Sequence, residues 1–451
     1  MTTSDAPIRK YDLLLKGGRV IDPANNIDGL FDVAIVGRHI GLVDKDISPE
    51  LARRVADVSG LVVTPGLIDL HAHFYGYFAA VLPDAHCLPE GTTTAVDAGG
   101  SGHLTFDDFD RTVISRAKIN VFALINIVGE GMVGPPEQDL EGMDIELTSA
   151  KIAQRPDVIV GVKVAHYMGP GWQALDRGVQ AAGNNGVFVM VDQTPIQSRP
   201  NDEMLLEHLR PGDMTTHCHG FGKPMTDTND RVKPYFFEAR ERGVKFDVGH
   251  GAGSFSFRIA KAAIEHGFPP DTISTDMHTE SILANQGTMP ETMTKLLALG
   301  MELPDVVARS TWVPAQTIGH PELGNLGQTA GADIAVLEIA EGDFGLTDNG
   351  SGTRVYRTDR RIVCQMTIKD GPVVWDKTVD HAMTGRPPRR RTRPWFRCSE
   401  ILTRVPRGAS CVRPSAPRTP GAHGPHFVDG RELEGRVADI NPSDPITPGS
   451  R

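Results

Sequence analysis

Two histidines at alternate positions close an apolar run near the start of the chain. The run is GLIDLHAHF, residues 66–74, in which a single alanine separates His71 from His73. Because residues i and i+2 of a strand point the same way, both imidazoles could face one side and bind a divalent cation through ring nitrogens. The alternative is a pair of hydrogen-bonded core histidines, and this motif alone leaves both interpretations open.

Further polar residues close later apolar runs at similar intervals. They are Asp97, Lys163, Asp192, His217, His250 and Asp276. The last five are separated by 29, 25, 33 and 26 residues, about the length of one strand–helix repeat. Parallel strands end at a common edge, where barrel enzymes carry their catalytic groups. The pattern therefore favours the cation site.

One of these residues is a lysine inside an apolar strand-like run. Lys163 lies in VGVKVAH, residues 160–166, where an unpaired ammonium group would be costly. A salt bridge to Asp192 or Asp276 would remove that cost. The functional alternative is a neutral lysine that has added carbon dioxide, because a carbamate has two anionic oxygens suited to bridging two divalent metals.

The order of the segments predicts an α/β fold, a (β/α)₈ TIM barrel with a small β-sandwich built from both chain ends. Eight strand-like runs alternate with helical patterns such as SFRIAKAAIEHG in the predicted barrel, residues 63–319. Shorter runs predict a small β domain from residues 8–62 and 320–378. Residues 381–451 contain 13 Arg, 11 Pro and 7 Gly, which predicts a disordered tail.

Composition limits the partners that we expect. The net charge is −11, and the tail is basic, so the predicted barrel and β domain are strongly acidic and poor ligands for nucleic acid. No run approaches the roughly 20 apolar residues of a membrane span. Five cysteines without a C-x-x-C pair argue against a disulfide framework and a zinc ribbon. We expect a cytoplasmic homo-oligomer that binds a small-molecule substrate, with no membrane association.

The chain resembles the amidohydrolase superfamily, in its dihydroorotase-like branch of amidohydrolases and deacetylases, which includes N-acyl deacetylases and esterases of acetylated hydroxy acids. The resemblance is carried by GLIDLHAH, GTTTAVDAG, GVKV, DVGHGAGSFSF, TISTDMHT and STWVPAQTIGHPELGNLGQTAGADIAVLE. It extends from about residue 8 to residue 378. It implies a metal-dependent hydrolase that cleaves an amide, ester or cyclic amide bond with a metal-bound hydroxide.

The resemblance also implies a role for each matching residue. His71 and His73 would bind the more buried metal, and carboxylated Lys163 would bridge it to a second one. His217 would bind the outer metal, while Asp276 would bind the inner metal and shuttle a proton. The implied ion is zinc, with two per chain.

One position departs from this family pattern. Members of this type commonly carry His at the end of the fifth strand, where this chain has Asp192 in VMVDQT. A carboxylate is a competent zinc ligand, so we predict that Asp192 binds metal, with a single-metal site as the alternative. His250 and His278 are predicted to contact substrate or else to bond to their own loops. His219 is a weaker ligand candidate than Asp192.

Other interpretations compete with a metallohydrolase. GEGMVG, residues 129–134, matches a dinucleotide-binding fingerprint, but Pro135 and Pro136 follow where a helix must open, so we predict an active-site loop. Cys218 is expected to be structural rather than a nucleophile. A metal-free or single-metal barrel could act as a scaffold or with altered hydrolytic chemistry. The sequence does not distinguish amide, ester and cyclic ureide substrates.

Overall fold

The computed structural model describes residues 9–192, 202–222, 224–348 and 355–377. The predicted tail, residues 381–451, lies outside these ranges. The described chain forms strands β1 (Leu13–Asp22), β2 (Ile27–Val36), β3 (His39–Asp44), β4 (Val55–Asp57), β5 (Val62–Pro65), β6 (Leu67–Ala72), β7 (Thr92–Ala98), β8 (Asn120–Asn126), β9 (Ile159–Ala165), β10 (Phe188–Asp192), β11 (Met214–Thr215), β12 (Lys245–Phe246), β13 (Ile334–Thr347), β14 (Val355–Ile368) and β15 (Val373–Asp376).

The helices of the described chain are α1 (Pro83–Cys87), α2 (Phe106–Thr112), α3 (Ile145–Gln154), α4 (Gln173–Gly183), α5 (Asp202–Glu207), α6 (Pro234–Glu241), α7 (Phe257–Glu265), α8 (Thr279–Asn285), α9 (Met289–Ala298), α10 (Leu303–Ala308) and α11 (Trp312–Thr317). Helices α1 to α6 alternate with strands β6 to β12, and helices α7 to α11 lie between β12 and β13 in the chain. None of these helices combines the length and the apolar character that crossing a membrane requires.

Strands β6 to β12 form one parallel sheet in chain order. Every residue of β7 (TTTAVDA) and β9 (IVGVKVA) is buried. Parallel strands are covered on both faces, which explains why these segments read as nearly continuous runs of β-branched and small residues. Helix α4 packs against β9 and β10 through a stripe at helical spacing, formed by Ala174, Leu175, Gly178, Ala181 and Ala182.

A segment after β12 lies between the two edges of this parallel sheet. One parallel bridge pairs Asp247, just after β12, with Thr272. A second parallel bridge pairs Met277 with Ala72 in β6. Residues 272–277 are therefore hydrogen-bonded to the last and the first strands of the sheet.

Strands from both ends of the chain share a second sheet. Its order is β15-β14-β13-β5-β1-β2-β3, with β4 paired to β1. The two chain ends meet where β13 pairs antiparallel with β5, Ile334 lying opposite Pro65. The strands from both chain ends, which the sequence predicts to form a small β-sandwich, are therefore joined in one eight-stranded hydrogen-bonded sheet.

Gly99 follows β7 and permits a close approach to β9. Its φ is +89°, and a Cβ atom placed there would lie 2.7 Å from both Cβ and Cγ of Lys163. The missing side chain at this position thus makes room for the buried lysine.

We expect Gly99→Ala to destabilise the fold more than Gly186→Ala. Gly186 also has a positive φ, +69°, but open space surrounds it. Alanine at Gly186 should cost roughly 1–2 kcal/mol for its left-handed backbone. Alanine at Gly99 should cost about 1–3 kcal/mol more, because its methyl group overlaps Lys163. Urea unfolding of both variants measures this difference, and equal losses would contradict the close approach.

Candidate active site

The carboxyl ends of the parallel strands surround a cavity of about 310 Å³. Its polar lining consists of His71, His73, Tyr77, Lys163, His166, Asp192, His217, Ser254, Asp276, His278 and Glu280. All six residues predicted as metal ligands are in this lining, and so is His278, a predicted substrate contact. The structure therefore brings the metal-ligand candidates of five separate strand ends to one place.

One carboxylate lies against both histidines of the HAH motif. Asp276 Oδ1 lies 2.9 Å from His73 Nε2 and 3.4 Å from His71 Nε2. All three residues are buried. His217 adds a fourth group, since single ligand atoms of His71, His217 and Asp276 lie within 4.8 Å of one another. These side chains are close enough to share a cation.

A second carboxylate lies against two other histidines. Asp192 ends β10 and places Oδ2 3.1 Å from His217 Nε2 and 3.6 Å from His166 Nε2. Burial works against ionisation of Asp192, but His217, Lys163 and His166 together outweigh that effect and hold the pKa of the carboxyl well below its usual range. The carboxylate is therefore charged and available as a ligand.

The Nδ1 atoms of His71 and His217, which point away from the cavity, contact hydrogen-bond acceptors. His71 Nδ1 lies 3.0 Å from Thr216 Oγ1, whose own proton is donated to the Asp247 carboxylate at 2.8 Å. His217 Nδ1 lies 2.6 Å from the carbonyl oxygen of Gly249. The proton of each neutral ring is consequently at Nδ1, and Nε2 presents a lone pair to the cavity.

These lone pairs face carboxylate oxygens. His71 Nε2 faces Asp276 across 3.4 Å, and His217 Nε2 faces Asp192 across 3.1 Å. A proton or a cation between two such atoms would supply the positive charge that relieves their repulsion. Burial opposes protonation of His217, but Asp192 outweighs it and raises the pKa of the imidazole. A divalent cation would satisfy both pairs without a proton.

Lys163 is fully buried without a carboxylate at ion-pair distance among the described residues. Its Nζ lies 3.1 Å from His71 Nε2 and 3.7 Å from Met190 Sδ. The salt bridge to Asp192 or Asp276 that the sequence left open is thus not formed. Burial lowers the pKa of the Lys163 amine, although both carboxylates oppose this effect. The amine is biased towards its neutral, nucleophilic form.

The remaining predicted histidines have different surroundings. His278 lines the cavity, with Nε2 3.9 Å from Asp276 Oδ2. His250 is buried outside the cavity lining, with Nε2 2.6 Å from Lys295 Nζ. His219 is also buried outside the lining; neither ring nitrogen has a hydrogen-bond partner in the described part of the chain, and burial lowers its pKa to about 3. Only His278 of these three joins the site.

The two rival motifs do not form the sites that they could suggest. Residues 129–134 lead into a 3₁₀ turn of four residues, Pro135–Gln138, which is not the helix that a bound pyrophosphate needs. Cys218 is buried, and burial raises the pKa of its thiol well above the usual value. A thiol of this kind is a poor nucleophile.

Sequence reasoning missed His166 and its partner Glu137. His166 follows β9 and lines the cavity, and its Nδ1 lies 2.9 Å from Glu137 Oε2. Its φ of +57° is uncommon for a residue with a side chain, and His217 and Asp276 share that feature with φ values of +60° and +48°. Such strain tends to accumulate at functional sites. Its position three residues after Lys163, directly after β9, is the sequence feature that could have indicated a place at the same end of the sheet.

Comparison with known proteins places this site in a family, although no family model matches the chain. A deacetylase of Brucella anthropi is 30% identical over 337 residues, which cover 70% of this chain and 82% of the relative. Solved structures of an adenine deaminase and a dihydroorotase are each 28% identical and cover 81% of this chain. Their TM-scores are 0.73 and 0.72, and the matches cover 100% and 99% of those chains. The predicted resemblance is confirmed: the chain belongs to the amidohydrolase superfamily, in its dihydroorotase-like deacetylase branch, and is a hydrolase.

Proposed function

We propose that this chain is a metal-dependent hydrolase that cleaves an amide or cyclic amide bond of a small molecule. The observation that carries the proposal is the pair of imidazoles, His71 and His217, whose Nε2 atoms face the Asp276 and Asp192 carboxylates. The names of the similar proteins, a deacetylase, a dihydroorotase and an adenine deaminase, support chemistry at carbon–nitrogen bonds. An ester could be hydrolysed by the same groups.

The donor set fits two divalent ions such as zinc, which binds imidazole nitrogen and carboxylate oxygen. His71, His73 and Asp276 would hold the inner ion. His217 and Asp192 would hold the outer ion. When bound, such ions polarise a carbonyl group and bring the pKa of water towards neutrality.

Asp276 is the residue that we propose transfers the proton. Its Oδ1 lies against the two imidazoles of the HAH motif, whereas its Oδ2 faces His278. Oδ1 can therefore serve as a ligand while Oδ2 takes the proton of the attacking water and gives it to the leaving nitrogen. His278 Nδ1 accepts a hydrogen bond from the Ser281 N–H at 3.4 Å, which leaves Nε2–H to donate to substrate.

We further propose that Lys163 is a carbamate. The neutral amine attacks carbon dioxide, an N–C bond forms, and one amine proton leaves to solvent. The product carries one negative charge over two oxygens, which can supply a ligand to each ion. Complete burial of Lys163 and the absence of an ion-pair partner among the described residues support this modification.

The proposal includes closure of the parallel sheet into an eight-stranded barrel. Residues 272–277 would be the eighth strand, because their bridges reach Asp247 on one side and Ala72 on the other. Asp276 lies in this segment. Closure would hold its carboxylate against His71 and His73 from the far side of the strand order, where the proton transfer requires it.

Purified protein is expected to contain one to two equivalents of zinc or a similar ion per chain. Removal of the ion with a chelator should abolish hydrolysis of N-acyl amino acids or cyclic ureides, and added zinc should restore it. Elemental analysis and turnover measure the two effects, while far-UV circular dichroism verifies that the stripped protein stays folded. Undiminished turnover by metal-free protein would overturn the proposal.

Asp276→Asn should lower turnover by roughly the 10²–10⁴ typical of lost general acid–base catalysis. The substitution keeps the size of the side chain and removes the group that accepts the proton. Metal content should remain close to that of the unmodified protein, because His71 and His73 are intact. Asp157→Asn, at a carboxylate paired with Arg155 on the surface, is the matched control and should retain full turnover. Near-normal turnover by metal-loaded Asp276→Asn would rule out the proton-transfer role.

Zinc-loaded protein incubated with ¹³C-bicarbonate should show a carbamate resonance by NMR. The signal should be missing from Lys163→Ala, while the second fully buried lysine, Lys295, is present in both samples as an internal control. A fully active, metal-loaded protein that shows no carbamate signal would refute the modification.

A further inference from the structure

We infer that His166 is a further protein ligand of the outer cation, held in place by Glu137. The inference rests on the proposed function, because it concerns the outer of the two ions. It adds to that site a residue from the segment after β9, where sequence reasoning assigned no ligand beyond Lys163.

The orientation of His166 matches that of the two other imidazoles in the site. Its Nδ1 lies 2.9 Å from Glu137 Oε2, a group that accepts, so the ring proton is at Nδ1. Its Nε2 faces the cavity and lies 3.6 Å from Asp192 Oδ2. His166 Nε2 thus points at the same carboxylate oxygen that His217 Nε2 approaches to 3.1 Å. An acceptor that binds a ring from behind is the usual arrangement for metal-binding histidines.

Glu137 is built into the fold as a support for this ring. It is buried, with 3% of its surface exposed, and its Oε1 accepts the backbone N–H of Gly134 at 2.9 Å. Gln138 fixes the segment after β9 as well, donating to the His166 carbonyl and accepting from the Met168 N–H, both at 2.8 Å. A charged residue is seldom buried unless it has a specific partner. The loop after β8 therefore positions His166 from outside the cavity.

A simple ion pair does not account for this construction. The His166 side chain is 47% exposed, so its pair with the Glu137 carboxylate is partly screened by solvent. The left-handed backbone of His166 is a further cost of holding the ring in this position. A cation shared by His166, His217 and Asp192 accounts for the strained backbone, the buried carboxylate behind the ring and the shared direction of the two bare nitrogens.

The test is zinc titration of the full chain after chelator stripping, in bicarbonate buffer, against a chromophoric competitor. We expect two binding steps in the unmodified protein. His166→Ala should weaken the second step about 10- to 100-fold and leave the first unchanged, and Glu137→Gln should weaken the same step to a smaller extent. His208→Ala is the matched control, because His208 pairs with Asp176 outside the cavity through Nδ1, as His166 does with Glu137.

The other results of the zinc titration separate failure of this inference from failure of the proposed function. If His166→Ala binds both ions like the unmodified protein, the inference is wrong, and a raised KM with the normal metal content would assign His166 to substrate binding instead. If the unmodified protein binds one ion and needs it for turnover, the inference fails while the hydrolase proposal stands. If it binds none and is still active, the proposed function fails first. Thermal unfolding of each variant verifies that weak binding does not reflect loss of the fold.

Discussion

The close approach of imidazole Nε2 atoms to buried carboxylates is the interaction on which the site depends. His71 Nε2 and Asp276 Oδ1, and likewise His217 Nε2 and Asp192 Oδ2, are acceptor pairs at 3.4 and 3.1 Å. Inside a protein the low dielectric strengthens the repulsion between such atoms. Positive charge between these atoms would relieve the repulsion, and burial disfavours the protonated form of Lys163 beside His71. A divalent cation would do so better than protons, because it can be shared by several acceptors at once.

A buried carboxylate outside the cavity lining, Asp247, holds the residues that make these contacts. Asp247 accepts hydrogen bonds from Thr216, Thr272 and Ser274 at 2.8, 2.6 and 2.6 Å. It thereby ties the residues after β11 to the segment that carries Asp276. Burial raises the pKa of Asp247, while the three hydroxyl donors lower it. Thr216 in turn contacts His71 Nδ1. The same network therefore fixes the backbone at these strand ends and directs His71 Nε2 into the cavity.

Strand spacing explains why much of the site could be predicted from the sequence. A buried parallel strand ends at a defined edge, so His71, Lys163 and Asp192 needed only the correct strand assignment to be placed together. The same reasoning placed His250 near the site by its position after β12, yet its ring bonds to Lys295 outside the cavity lining. Which way a side chain turns beyond the last strand residue depends on backbone angles that the residue pattern does not encode. His217 and Asp276 enter the cavity with positive φ, a conformation that sequence patterns assign to glycine.

His166 is the converse case, a residue that lines the site and was not predicted from the sequence. Its position three residues after Lys163 suggests the right edge, but its placement depends on a carboxylate from the loop after β8, and no periodicity links positions 137 and 166. With His166 included, the two halves of the site have the same composition. Asp276 is approached by the imidazoles of His71 and His73, and Asp192 by those of His217 and His166. Lys163 lies beside the first group and is attracted by the carboxylates of both. Two cations held by equal donor sets would divide the charge of the cavity evenly, so the carboxylate at the end of β10 need not weaken the outer position.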